Sequence, residues 1–95
     1  MTKAYASVWD AIEKTRGDAA HMQVRGALMV DLQKRMRATG DTQAELAKRL
    51  GVTQPRISDV MRGRIDLVSV DMLIDLLAKL GVAVQVRTRA MRKAA

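Results

Sequence analysis

Apolar residues recur at helical spacing in the middle of the chain. Between residues 22 and 38, Val24, Leu28 and Leu32 occupy every fourth position, which predicts an amphipathic helix. Gly26 lies within this pattern and should weaken the first turns of the helix.

A second helix should begin soon afterwards. Asp41 or Thr42 can cap its first turn, and Glu45, three residues after Thr42, completes the pattern of a capping box. Gly51 is suited to the left-handed conformation that commonly follows a helix. These start and stop signals predict a short helix between them.

The third helix should follow after a turn of only a few residues. Thr53 is a favourable N-cap, and Pro55 is tolerated in the first turn because its missing N–H would have no helical partner there. The helix should reach about Arg62, just before Gly63. Its predicted inward face consists of Ile57, Val60 and Met61.

The last part of the chain changes its period. Ser69 can cap a fourth helix, and Gly81 closes it. Beyond it, Val82, Val84 and Val86 alternate with other residues, which is typical of a strand. The broad apolar face of the fourth helix consists of Val70, Leu73, Ile74, Leu76, Leu77 and Leu80.

A single strand leaves its backbone donors and acceptors unpaired, so this strand needs a partner. The same strand of a second copy or the segment from Ala4 to Val8 could pair with it. We favour the second copy, because edge strands invite pairing with another chain. A monomer that uses the apolar face within one subunit is the alternative. The predicted dimer interface consists of Leu77, Leu80, Val82, Val84 and Val86.

The composition limits the chemistry that the chain can support. Ninety-five residues with 48% apolar side chains make one small domain. There is no cysteine and only one histidine, His21, which excludes a thiol nucleophile and a histidine metal cluster. A glycine-rich phosphate loop is missing and the carboxylates are scattered, so we expect no enzyme, cofactor or metal. No apolar run is long enough to cross a bilayer, which favours a cytoplasmic protein without a membrane partner.

The basic residues are unevenly distributed. The whole chain carries a net charge of +7, which favours a polyanionic partner. Residues 25–64 hold nine basic and four acidic residues, and residues 82–95 hold four basic residues and no acidic one. Residues 1–24 are balanced, and residues 65–81 are acidic. The positive excess therefore lies in residues 25–64, which include the second and third helices, and in the C-terminal tail.

Side-chain size points to the second and third helices. Ala47 is small where the second and third helices would cross, and Gly51 lies in the turn. This pattern is typical of a lambda-repressor-like helix-turn-helix, whose second helix enters the major groove of DNA. A plain helical hairpin in a bundle is the alternative, which the positive charge disfavours. The shared core would consist of Leu46, Leu50, Val52, Ile57 and Val60.

The outer side of the third helix supplies the candidate base contacts. Gln54 can bond to adenine in bidentate fashion, and the Pro55 ring can contact a thymine methyl group. Arg56 or Arg62 can reach a guanine or a phosphate. The candidate DNA-binding residues are Gln43, Thr53, Gln54, Pro55, Arg56, Ser58, Asp59, Arg62 and Arg64.

Some of these residues have a simpler interpretation. Arg56, Asp59 and Arg62 are spaced by three and could form a surface ladder of ion pairs. Asp59 could accept a bond from cytosine or act mainly by excluding other bases. Arg64, beyond the third helix, is expected to contact the DNA backbone.

The run TQAELAKRLGVTQPRISDVMRGRIDLVSVDMLIDLLAKLGVAVQV resembles the Xre/Cro-type helix-turn-helix of HigA-type antitoxins. The resemblance covers roughly residues 24–87 and the SVWDAI segment ahead of them. It implies a dimer that binds a pseudo-palindromic operator in double-stranded DNA and represses its own operon. It also implies that Gln43 anchors a phosphate through a helix N-terminus.

The resemblance further implies a protein partner, a small HigB/RelE-like ribonuclease toxin that a segment outside the helix-turn-helix engages. Tyr5, Val8, Trp9 and Ile12 could form one side of a short amphipathic helix that binds it. Alternatively, Trp9 covers the core of its own domain.

The predicted organisation is mostly α, with four to five helices and one C-terminal strand that pairs across a dimer. Residues 1–20 are expected to form an N-terminal arm or short helix, residues 21–88 the DNA-binding and dimerisation domain, and residues 89–95 a basic tail. The expected function is that of a DNA-binding antitoxin, associated with the nucleoid when bound to its operator. A stand-alone Xre-type repressor without a toxin is the alternative.

Overall fold

The computed structural model describes the backbone of residues 3–91, and the side chains of residues 11–91 except that of residue 13. Within this part of the chain, four helices follow one another: α1 (Lys3–Ala38), α2 (Gln43–Leu50), α3 (Gln54–Met61) and α4 (Val70–Lys79). The prediction of a mostly helical fold is confirmed.

The first helix is longer than the sequence pattern predicts. α1 runs for 36 residues, which is about 54 Å at 1.5 Å per residue. The sequence predicts a helix over residues 22–38 with an N-terminal arm or short helix before it, whereas the structure has one continuous helix over both segments. Gly17, which lies between the two segments, stays helical, because one glycine lowers helix stability without breaking the hydrogen-bond ladder.

Among the described side chains of α1, only those after residue 25 belong to the buried core. All described side chains from residue 11 to residue 24 are exposed, and Val24, which we expected on the inward face, is 50% exposed. We call residues 3–24 the projecting arm. They extend the molecule to 58 Å along its longest axis, whereas its two shorter axes measure 26 Å and 17 Å. The buried core consists of Met29, Leu32, Met36, Leu46, Ala47, Leu50, Ile57, Val60, Val68, Leu73, Leu76 and Leu77.

The helix ends agree with the local signals in the sequence. The side chains of Thr42, Thr53 and Ser69 each accept a hydrogen bond from a backbone N–H three residues later. Gly51 and Gly81 adopt the left-handed conformation, with φ of 68° and 81°. Short-range chemistry therefore fixes where α2, α3 and α4 begin and where two of them end.

The predicted C-terminal strand is not found within residues 3–91. Residues 82–91 have no regular secondary structure. Val82 and Val84 are half-buried and pack against the helical core, while Val86 is 84% exposed. A strand is defined by backbone pairing, and the described part of the chain offers this segment no second strand to pair with.

Candidate nucleic-acid interface

The N-terminus of α2 is held by a reciprocal capping box. The Glu45 N–H donates to the Thr42 hydroxyl oxygen at 3.1 Å, and the Thr42 N–H donates to the Glu45 carboxylate at 3.1 Å. The bond from the Thr42 backbone to the charged carboxylate lowers the pKa of Glu45. The cap orients the first turn of α2, where the exposed side chain of Gln43 lies.

The turn between α2 and α3 has the geometry that its sequence predicts. Gly51 donates its N–H to the carbonyl of Ala47, and its φ of 68° and ψ of 33° reverse the chain direction. Ala47 is 7% exposed, so the small residue lies where the two helices pack together. Thr53 then caps α3, with Pro55 in the first turn. The two helices therefore form the helix-turn-helix expected from the sequence.

Four of the predicted DNA-binding residues line one groove. An open groove of about 420 Å³ lies between the start of α2 and the outer side of α3. Its walls are formed by Gln43, Gln54, Pro55 and Ser58. The structure thus brings together residues of two helices, although these residues lie up to fifteen positions apart in the sequence.

The other predicted residues do not line this groove. Thr53, Arg62 and Arg64 are exposed, and Asp59 is half-buried. Arg64 Nε lies 3.9 Å from a carboxylate oxygen of Asp66, a long and exposed contact. Among the described side chains, no ion pair joins Arg56, Asp59 and Arg62, so the ladder that their spacing suggested is not formed.

Arg56 is half-buried and bonded within the protein. Its Nη1 donates to the carbonyl oxygen of Leu67 at 2.8 Å, in the loop that follows α3. Two residues of α1 bond to the same region: Gln33 Nε2 donates to the carbonyl of Val60 at 2.8 Å, and Arg25 Nη1 donates to that of Ile65 at 3.2 Å. The sequence analysis missed these contacts because they join residues 11 to 40 positions apart and leave no local pattern.

The predicted dimer residues divide into buried and accessible ones. Leu77 is 1% exposed within the core of its own chain, which leaves no surface for a second copy. Leu80, Val82 and Val84 are half-buried against the same core, and Val86 is largely exposed.

The predicted toxin-binding residues lie on the projecting arm. Ile12 is 39% exposed and lines a shallow groove with Ala11, Thr15 and Arg16. The side chains of Tyr5, Val8 and Trp9 lie outside those that the structure describes.

Within residues 3–91, no helix combines the length and hydropathy needed to cross a membrane. Among the described side chains, no three acidic or imidazole groups converge to hold a metal ion.

A capped helix pair with a glycine turn, whose second helix has an exposed outer side, is the arrangement found in helix-turn-helix DNA-binding proteins. The family model described as "Helix-turn-helix domain" matches residues 12–89. A solved structure whose name describes it as an XRE family transcriptional regulator is similar, with 31% sequence identity and a TM-score of 0.73. The match covers 82% of this chain and 91% of that chain. No curated protein shows significant similarity. The chain belongs to the helix-turn-helix family, as a DNA-binding transcriptional regulator of the XRE type.

Proposed function

We propose that this XRE-type regulator is the antitoxin of a type II toxin–antitoxin pair, which represses its own operon and neutralises a HigB/RelE-like ribonuclease. The groove that joins α2 and α3 supports the DNA-binding part most directly, because amide side chains from both helices line it. The toxin-binding part rests on the sequence resemblance, on the exposure of the described side chains of the projecting arm and on the neutral charge of its sequence.

In the proposed complex, the outer side of α3 lies in the major groove. Gln54 bonds to adenine, Pro55 contacts a thymine methyl group, and Thr53, Ser58 and Asp59 complete the base-facing surface. The phosphates are contacted by Gln43, Arg62 and Arg64.

Selection of a binding site from a randomised DNA library, followed by titration at several salt concentrations, tests this arrangement. We expect a pseudo-palindromic site and a steep fall of affinity with salt, about 0.9 in the log–log slope for each phosphate neutralised. A flat salt response would contradict the proposed interface.

Two copies would bind the two halves of such a site about 34 Å apart. We propose that residues 82–86 of each copy pair with one another, since Val86 is 84% exposed. The accessible members of the predicted interface are then Leu80, Val82, Val84 and Val86. Sedimentation of the wild type and of Val86→Asp tests this pairing, and an unchanged dimer in the variant rejects it.

The toxin is expected to bind the projecting arm through Tyr5, Val8, Trp9 and Ile12. Trp9 is the only tryptophan in the chain, so its fluorescence reports directly on the arm. If the product of an adjacent ribonuclease-like gene is a toxin, its addition should bury Trp9 and abolish the ribonuclease activity. No response and no inhibition would leave a stand-alone XRE-type repressor.

A further inference from the structure

The loop between α3 and α4 is irregular but firmly attached to the core. It comprises residues 62–69, and Gly63 turns the chain with a φ of 69°. Val68 is 1% exposed and Ile65 packs against the core, which anchors the loop from inside. Arg62 and Arg64 remain exposed, so a fixed backbone presents two cations to solvent.

Two guanidinium groups hold this loop from either side. Arg56, on α3, donates to the carbonyl of Leu67, and Arg25, on α1, donates to that of Ile65. The Nε atom of Arg25 is buried and has no hydrogen-bond partner among the described residues, which shows that this guanidinium faces the protein. Each helix thus contributes a charged donor to a carbonyl outside any helix, and bonds to charged donors are the stronger kind.

Arg56 also lies apart from the residues that line the DNA groove. Gln54, Pro55 and Ser58 share one side of α3 and form the groove wall, while Arg56 is not among the lining residues. At 3.6 residues per turn, Arg56 is rotated by about 200° from Gln54 around the helix axis. To contact a base, its side chain would have to leave the Leu67 carbonyl and reach around the helix.

We propose that Arg56 is a positioning residue, which holds the α3–α4 loop so that Arg62 and Arg64 meet the DNA phosphates, and that it does not read a base. This inference rests on the proposed phosphate contacts of Arg62 and Arg64. It assigns α3 two roles on opposite sides, with bases recognised through Gln54 and the loop fixed through Arg56.

Affinity for a short mixed-sequence DNA duplex, measured over a range of salt concentrations, tests the proposal. The variants are Arg56→Gln, the double variant Arg62→Gln/Arg64→Gln, and the triple variant that combines them. Arg35→Gln is the matched control, because it removes one exposed positive charge from an ion pair with Asp31, away from the loop.

We expect Arg56→Gln to weaken binding about tenfold and to lower the salt slope by about 0.9 for each phosphate that is no longer neutralised. The double variant should weaken binding further, and the triple variant should then equal the double variant, because Arg56 acts only through the loop. Arg35→Gln should change the affinity little.

Three results would overturn the proposal. An additional loss of affinity in the triple variant would mean that Arg56 contacts DNA directly. A larger loss on the site selected by the wild type than on the mixed-sequence duplex would mean that Arg56 reads a base. If the double variant bound like the wild type, the proposed phosphate contacts themselves would fail, and this inference with them.

Two further measurements distinguish the proposed positioning role of Arg56 from an effect on global stability alone. Arg56→Lys keeps a charged donor, so it should recover most of the affinity and of the salt slope. The slope is measured well below the unfolding temperature, where a modest loss of global stability does not change it. An Arg56→Gln variant that unfolds more easily yet keeps the wild-type slope would therefore reject the positioning role.

Discussion

The two halves of α1 differ although they belong to one continuous helix. From residue 25 onward, α1 places Met29, Leu32 and Met36 in the core, and the polar residues Arg25 and Gln33 bond to the end of α3 and the loop beyond. In the projecting arm, every described side chain is exposed, and the charges balance. Helix formation alone therefore does not reveal whether a segment belongs to the folded domain. Tertiary packing does, because it supplies most of the stability of helices in proteins.

The largest expected contrast concerns stability. Replacing Leu32 by Ala removes a fully buried side chain, so we expect a loss of about 2–5 kcal/mol in the free energy of unfolding. Replacing Ile12 by Ala on the projecting arm should change it by no more than about 0.5 kcal/mol. Urea denaturation followed by circular dichroism measures both. Equal losses would show that the arm is covered in solution, for example by a second copy.

The next contrast concerns DNA recognition by α3. Gln54→Ala should cost about 1–3 kcal/mol on the selected site and much less on random DNA, because the variant cannot form the bidentate bond to a base. Gln43→Ala should weaken binding to both alike, as expected for a residue that binds a phosphate. Ile12→Ala should leave both affinities unchanged, since the arm lies outside the interface. Identical losses for Gln54 and Gln43 on both DNAs would reject the base-reading assignment.

The comparison also explains which features were predictable from the sequence. The ends of α2, α3 and α4 depend on residues such as Thr42 and Gly51, whose partners lie within four positions. Those features were predicted correctly. The continuity of α1 ahead of residue 22 was missed, because one weak helix former such as Gly17 does not decide whether neighbouring turns separate. The strand at residues 82–86 was predicted from alternation, but pairing needs a partner that the local pattern cannot supply.

The candidate interface also contains features that the sequence predicted and others that it could not predict. The positions of Gln54 and Pro55 follow from the helix-turn-helix pattern, so their place in the groove could be predicted. The bond from Arg56 to Leu67 could not, since it depends on how the loop folds back along α3. Charge and spacing alone suggested that Arg56 faces DNA.

The junction between the two halves of α1 gives a smaller, stabilising effect. A Cβ atom at Gly26 would lie 3.6 Å from Ile65 Cδ1, an ordinary van der Waals distance, so Gly26→Ala should raise the free energy of unfolding by about 0.5–1 kcal/mol. Gly17→Ala is the matched control, because nothing lies within 4 Å of its added Cβ on the arm. It should raise the helix content without shifting the urea midpoint. A shift of equal size in both variants would mean that the arm unfolds together with the core.

The smallest expected effect is a pH dependence that arises at the start of α2 and not on the projecting arm. Because the cap lowers the pKa of Glu45 in the folded state, its stabilising effect is complete above the ordinary glutamate pKa and disappears as the pH falls through the lowered value. Glu45→Gln keeps a side-chain oxygen for the Thr42 N–H but removes the titrating charge, so its unfolding midpoint should fall less between neutral and acidic pH. Asp18→Asn, on the arm, is the control for removal of a carboxylate and should follow the wild-type pH profile. If Asp18→Asn flattened that profile as much as Glu45→Gln, the acid sensitivity would arise from net charge rather than from the cap.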